Sequence, residues 1–202
     1  MLRAMHAVVP RRPTDPEFAE KDAANFSDGF PMLLISDASL DGLNAQLLQP
    51  PPGGGGQKNK LTMNRFRPNV TVSGCEPFAE DEWGSVLIGG KGYEGRGGEG
   101  EGGGGNGGGG GGGVPCDFVK PCSRCTITTV DQSTGKFSTV GQPLTTLGKI
   151  RSGAACGFAT ETSRKEWMNS PMFGWNIVSR AEPGAVVRVG NVVSVTTKRK
   201  FV

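Results

Sequence analysis

Two thiols spaced three residues apart, Cys122 and Cys125, open the stretch Lys120-Pro-Cys-Ser-Arg-Cys-Thr-Ile-Thr-Thr-Val-Asp131. A Cys-x-x-Cys pair alone suits half a zinc site, a redox dithiol, a disulfide, or one metal ligand beside a bystander thiol. The residues that follow narrow the choice. From Arg124 the run is rich in β-branched side chains, and Asp131-Gln-Ser-Thr-Gly135 supplies the polar, Gly-terminated turn of a hairpin. A strand is therefore expected from Arg124 to Val130, with Cys125 held by a sheet. Cys125 is the candidate metal ligand.

Several short elements would position these thiols. Phe30-Pro-Met-Leu-Leu-Ile-Ser36 is a continuous apolar run and predicts a buried strand. Ser39 is the expected N-cap of a short helix through Leu40, Leu43, Asn44 and Leu47. Further strands are expected at Asn69–Ser73, at Ser85–Ile88, and at Ala185–Val189 and Asn191–Thr196, the last two flanking a bend at Gly190. A helical stretch is expected around Pro143 to Ile150. Many short strands and few helices imply a β-rich α+β barrel.

Composition sets the outer limits. The chain has 202 residues, 34 of them Gly and 14 Pro, and a net charge of +3. That charge, with one Tyr and three Trp, gives no basic groove with stacking residues, so nucleic acid is not an expected partner. No run of eighteen apolar residues is present, so no transmembrane segment is expected. Five cysteines at irregular spacing fit a reducing intracellular compartment better than a disulfide scaffold.

Two composition shifts read as inserts. Residues 50–60 are a Pro- and Gly-rich loop. From 94 to 113 nearly every residue is Gly, which cannot bury apolar surface and is expected to be disordered. Closing so long a loop costs only about 1.4 kcal/mol more than closing one of four residues, because closure entropy grows logarithmically. Gly95 to Gly100 formally matches a dinucleotide fingerprint, but no helix-forming sequence follows to hold a pyrophosphate, so the match carries no weight. Residues 1–28 are expected to be a basic, partly flexible lead-in, with 29–202 as the domain. His6, the single histidine, falls in that lead-in.

Six motifs in order, Leu33–Asn44, Arg65–Val70, Ser73–Trp83, Pro121–Asp131, Pro171–Gly174 and Val187–Gly190, resemble the MOSC domain, the C-terminal domain of molybdenum cofactor sulfurase. Within that family they are most similar to its mitochondrial amidoxime-reducing component branch. The resemblance covers roughly residues 9 to 197 apart from the two inserts. It implies a β-rich MOSC barrel and a molybdenum cofactor, molybdopterin, whose metal takes one protein thiolate at the position of Cys125, which would also be the catalytic centre. Thiolates suit a soft-ligand metal. Arg67 and Asn69 stand where the family contacts the pterin and its phosphate, a guanidinium matching two phosphate oxygens at once. Ser36, Asp37, Ser39 and Ser123 lie in matching segments.

The implied activity is reduction of N-hydroxylated compounds, with electrons from NADH arriving through a flavin reductase and a b-type cytochrome. The alternative is a non-catalytic cofactor-binding or sulfur-carrier module. The implied location is intracellular, either associated with the mitochondrial outer membrane or cytoplasmic. The family also carries an association with pyridoxal phosphate. Members usually bear an N-terminal β-rich domain, often with a membrane anchor, and Met1 here falls just before the core. The chain is therefore expected to be a fragment, an incomplete gene model or a binding-only protein. Asn191 replaces the acidic residue usual after Val-Gly.

Each assignment has a plainer rival. Cys122 is expected to be a packed side chain. Cys116, Cys122 and Cys125 with Cys75 or Cys156 would make a tetrahedral zinc site. Arg67 would be a surface cation and Asn69 a strand-entry residue. Glu80 and Asp81 would form a solvated turn, or else a general-acid pair.

Overall fold

Leu34 and Ile35 are adjacent, fully buried, and belong to different cores, which is what a strand covered on both faces requires. A computed structural model describes residues 12–20, 22–24, 29–49, 59–90, 113–160 and 163–199. The Gly-rich insert expected at 94–113 lies outside them except for Gly113, and so does most of the 50–60 loop. The elements in chain order are β1 (Arg12–Pro13), α1 (Pro16–Ala19), β2 (Ala23–Ala24), β3 (Met32–Ser36), α2 (Asp37–Leu48), β4 (Val70–Val72), β5 (Trp83–Ile88), β6 (Val114–Ser123), α3 (Leu144–Ile150), β7 (Met172–Ser179) and β8 (Val193–Lys198). The fold is α+β. Six strands form a sheet curled into a half-barrel, in the order β4-β3-β7-β6-β5-β8.

Among the described residues only β3 and β4 run parallel, joined through α2; every other pair is antiparallel. The inner face of the sheet packs Leu34, Val72, Trp83, Val86, Ile88, Phe118, Trp175 and Ile177 together. On the outer face, Ile35 and Phe173 pack with Leu43 and Leu47 of α2, Leu147 of α3, and Leu61 and Phe66 of the intervening loop. Phe173 and Trp175 are two apart on β7 yet sit in different cores. Gly174 explains this: its φ is 75°, and a Cβ there would lie 2.5 Å from Ile35 Cγ1 and 3.0 Å from the Leu34 carbonyl oxygen. Only glycine fits, and it reverses the alternation.

A second irregularity lies on β6. The pairing steps from Phe118↔Ile177 to Lys120↔Asn176, so β6 has one extra residue and turns Lys120 outward. Its side chain is buried, with Nζ 3.3 Å from the Trp167 ring centroid, 5.3 Å from that of Phe18 and 6.0 Å from that of Phe30. Burial holds the ammonium below the ordinary lysine range. The rings supply cation–π attraction, and with the Arg180–Asp22 and Arg164–Glu17 ion pairs they fasten the α1 segment to the sheet.

Several expectations change. Residues 124–130 are not a strand. β6 ends at Ser123, and Thr126–Thr129 forms a 3-10 helix. The threonines are the cause: Thr128 Oγ1 donates to the Cys125 carbonyl at 2.9 Å and Thr129 Oγ1 to the Thr126 carbonyl at 2.7 Å, so β-branched residues satisfy a tight turn instead of a ladder. The expected turn after it does form, with Asp131 N–H bonded to the Lys136 carbonyl and Val130 bridged to Phe137. The N-cap of α2 is Ser36, whose Oγ accepts from Ser39 N–H at 3.0 Å. Residues 185–189 pair with no strand among the described residues; Arg188 and Asn191 close a turn at Gly190 instead.

Burial also pushes up three thiols, Cys75 among them. Cys116 in the core is pushed up to about 11 by desolvation, aided by Asp117, and Cys156 also to about 11 by burial, with Arg151 opposing. A thiol whose folded pKa exceeds its ordinary 9.0 stabilises fully below that value and loses its contribution as pH rises toward 11. Cys116→Val removes one such proton. Urea unfolding at pH 8 and 10.5 is expected to show the wild type losing about 2 kcal/mol more than the variant across that interval. Equal losses would mean that burial does not raise the Cys116 thiol above its unfolded value.

Candidate functional site

The strand registers bring the C-terminal ends of β3 and β6 and the N-terminal end of β7 to one end of the sheet: Leu34 pairs with Trp175, and Ser123 with Met172. Parallel pairing adds the C-terminal end of β4. Ser36, Cys75 and Ser123 therefore occupy the same end. Cys125 lies two residues beyond β6, exposed, with extended backbone at φ −101° and ψ 175°. It is held by its neighbours, not by the sheet. Arg124 N–H donates to the Pro171 carbonyl at 2.8 Å, and the 3-10 helix starts immediately after Cys125.

Arg124 organises this corner. Its Nη1 lies 3.0 Å from Cys122 Sγ, its Nη2 donates to the Phe66 carbonyl at 2.8 Å, and its guanidinium stands 5.5 Å from the Phe66 ring centroid. Its Nε is buried without a partner among the described residues. Two more contacts bind the same two loops together: Arg65 to Asp131 at 3.5 Å, and Gln132 Nε2 to the Asn64 carbonyl at 2.8 Å. Hydrogen bonds from the Ser133 hydroxyl and N–H, with Arg65 adding a smaller share, hold the Asp131 carboxyl below the usual range. Asn44 of α2 anchors the start of the first loop through both of its amide atoms, at 3.0 and 2.7 Å from Leu61 backbone.

Arg67, next to Phe66, is exposed with φ 55°. A non-glycine residue in the left-handed region is uncommon and costs conformational energy. Asn69 serves the backbone: its Oδ1 accepts from Leu33 N–H at 2.8 Å while its N–H donates to the Leu33 carbonyl at 2.9 Å. That places Asn69 three residues back along β3 from Ser36, about 10 Å at strand rise. Its side-chain oxygen is committed, and its amide group is what remains for a ligand.

The helix N-terminus is committed internally as well. Ser36 and Ser39 are fully buried. Ser36 Oγ hydrogen-bonds to Ser39 Oγ at 2.7 Å and to Glu80 Oε2 at 3.0 Å, while Phe78 N–H donates to Ser39 Oγ at 2.7 Å. Asp37 is exposed in the first turn of α2, favourable beside the helix dipole. Glu80 and Asp81 are not a solvated turn. Glu80 is 2% exposed, and Asp81 pairs with buried Arg151 through contacts of 2.8 and 2.9 Å and accepts from Trp175 Nε1 at 2.8 Å. Among the described residues no three His, Cys, Asp or Glu side chains converge on a metal position, so the four-ligand zinc arrangement is not assembled.

A MOSC domain model matches residues 21–194. This chain belongs to the MOSC domain family. It is 34% identical over 186 residues to human mitochondrial amidoxime-reducing component 1, covering 91% of this chain and 43% of that protein. The Xenopus laevis component 1 is 30% identical over 183 residues, covering 90% and 41%. Human component 2 is 32% identical over 168 residues, covering 83% and 38%. The chain thus spans less than half the length of these relatives. In this MOSC domain, sequence reasoning named Cys125 and Arg67, read Glu80 and Asp81 only as a solvated turn or a general-acid pair and Asn44 only as a helix residue, and passed over Arg124 and Arg151. The one available signal was an arginine inside the Cys-x-x-Cys spacing.

Arg124→Ala removes a charge-assisted bond from the Phe66 carbonyl. Thermal or urea unfolding is expected to show a loss of about 1.5–3 kcal/mol, with faster proteolysis in residues 62–69. Unchanged stability and unchanged cleavage would mean that the two loops hold together without it.

Proposed function

We propose that this MOSC domain binds a molybdopterin-type cofactor at the Cys125 end of its sheet and acts in the reduction of N-hydroxylated small molecules. The observation that carries this reading is the exposed thiol of Cys125 directly following a guanidinium whose buried Nε has no partner among the described residues. A buried N–H donor without a partner is rare and costly, and an anionic group is what would satisfy it. Exposed Arg67, on the loop tied to Arg124, supplies a second guanidinium for a phosphate. The donor set fits the cofactor.

In this reading Cys125 gives the metal its protein thiolate, while Arg67 and Arg124 hold the anionic portion. Ser123 and the free amide of Asn69 hydrogen-bond to polar edges, and Asp37 lies at the margin. Ser36 and Ser39 act indirectly by fixing α2. The bound cofactor would supply two-electron reduction, and the protein supplies binding and orientation. Electrons would come from NADH through a flavin reductase and a b-type cytochrome. The relatives are named mitochondrial, which supports a mitochondrial location, and no helix among the described residues is long and apolar enough to cross a membrane.

Cys125→Ser exchanges a soft donor for a hard one. Amidoxime reduction is expected to fall on the order of 100-fold, with a changed metal absorption spectrum, whereas Cys122→Ser keeps both near wild type. Metal content and turnover of the two variants check this. Identical behaviour would favour a dithiol, and bound cofactor without any turnover would favour a carrier module.

A further inference from the structure

Arg67 follows a 3-10 turn, Met63–Arg65, that ends at Phe66. Its backbone is left-handed, φ 55°, at the kind of turn end where glycine fits without steric cost and a larger side chain is strained. Pro68 bars the alternative of continuing the turn, because a residue before proline is pushed out of the right-handed helical region toward extended backbone. Left to local preference, Arg67 would be extended. Strain of this kind persists only where the surroundings over-determine the conformation.

The surroundings do so at both flanks. Phe66 is 1% exposed, with its ring 4.5 Å from that of Phe173 and 5.5 Å from the Arg124 guanidinium. Its carbonyl belongs to the peptide whose orientation is set by φ of Arg67, and it accepts from Arg124 Nη2 at 2.8 Å. The Asn64 carbonyl accepts both from Arg67 N–H at 3.2 Å and from Gln132 Nε2 at 2.8 Å. Beyond Pro68, Asn69 is clamped to the N–H and carbonyl of Leu33. Arg67 takes up the turn between these two fixed ends, and its side chain is exposed.

We infer that Arg124 is a positioning residue for Arg67: by holding the Phe66 carbonyl it keeps Arg67 left-handed and so aims the second guanidinium. This rests on the reading of Arg67 as an anion-binding residue, and it says what sets that residue's direction. Arg124 N–H is itself fixed to the Pro171 carbonyl, just before β7, and Cys125 is its neighbour in the chain. One residue thereby registers the exposed thiol and the exposed cation against each other.

The test compares melting temperatures of the ligand-free chain carrying Arg67→Gly or Arg67→Ala, each with and without Arg124→Ala. With Arg124 present, the glycine variant is expected to melt about 2–4 °C above the alanine variant, because only alanine is strained at positive φ. Without Arg124 the gap is expected to close or reverse, since in a relaxed loop glycine brings only its larger unfolded-state entropy. Equal melting with Arg124 present, or an undiminished gap without it, overturns the proposal. The first comparison leaves Arg124 unchanged, so it decides even where Arg124→Ala fails to fold. Calorimetric titration of the same proteins with inorganic phosphate reads the ligand side. Arg67→Ala and Arg124→Ala are each expected to weaken binding about tenfold, and the double variant by far less than the roughly hundredfold of independent contacts. A fully additive loss assigns the two guanidiniums to separate contacts and overturns the positioning role. A wild type that binds no phosphate yet shows the melting pattern sinks the anion-binding reading and leaves the control of Arg67 by Arg124 standing.

Discussion

The turn at residues 79–82 holds two carboxylates that point to different partners, and the end of the sheet that carries the candidate site depends on it. Glu80 reaches Ser36, the residue that both ends β3 and caps α2. Asp81 binds Arg151, at the end of α3, and the indole of Trp175 on β7. One short turn thus joins two helices and two central strands. Charges this deeply placed are tolerated only when paired, so removing any one member would strand another. The Phe78 ring, 4.2 Å from the Arg151 guanidinium, covers the pair and shields it from water.

Much of the framework was legible because it follows from local rules. The Phe30–Ser36 run, the strand expected at Ser85–Ile88, the helix expected around Pro143 to Ile150 and the turn at Asp131 all carry periodicity or turn chemistry that survives in the fold. Where the reading failed, side chains competed with backbone pairing. Thr128 and Thr129 look like strand residues by type, yet their hydroxyls close a 3-10 turn. Ser39 looks like a cap, but Ser36 one turn earlier takes the role and Ser39 is drawn inward to Phe78. The exposed valines before Gly190 have strand propensity without a neighbouring strand to pair with, and β-propensity alone does not make a strand.

At the candidate site the sequence singled out a thiol but few of the contacts around it. Cys125 was marked by the family resemblance, and the structure leaves it exposed just beyond β6. Asn69 and Ser36 occupy the matching positions, yet much of their hydrogen-bonding capacity is spent on Leu33 and on the α2 cap. Arg124 was invisible as a functional residue because its role is relational: it depends on a loop more than fifty residues earlier in the chain passing beneath it. No windowed pattern registers such a contact.

The β5–β6 hairpin has a consequence for how this domain can change. Ile88 pairs directly with Val114, and a Cβ on Gly90 would lie 3.3 Å from the Gly113 nitrogen. The two ends of the intervening sequence therefore already meet, and its length places no demand on the barrel. From Val114, β6 runs to Ser123, so the join sits about 30 Å from the cysteines at strand rise. A gene could lengthen, shorten or replace that segment, even with a whole inserted domain, while leaving the corner around Cys125 untouched. The base of the hairpin is a natural graft point, remote from the candidate site and closed upon itself.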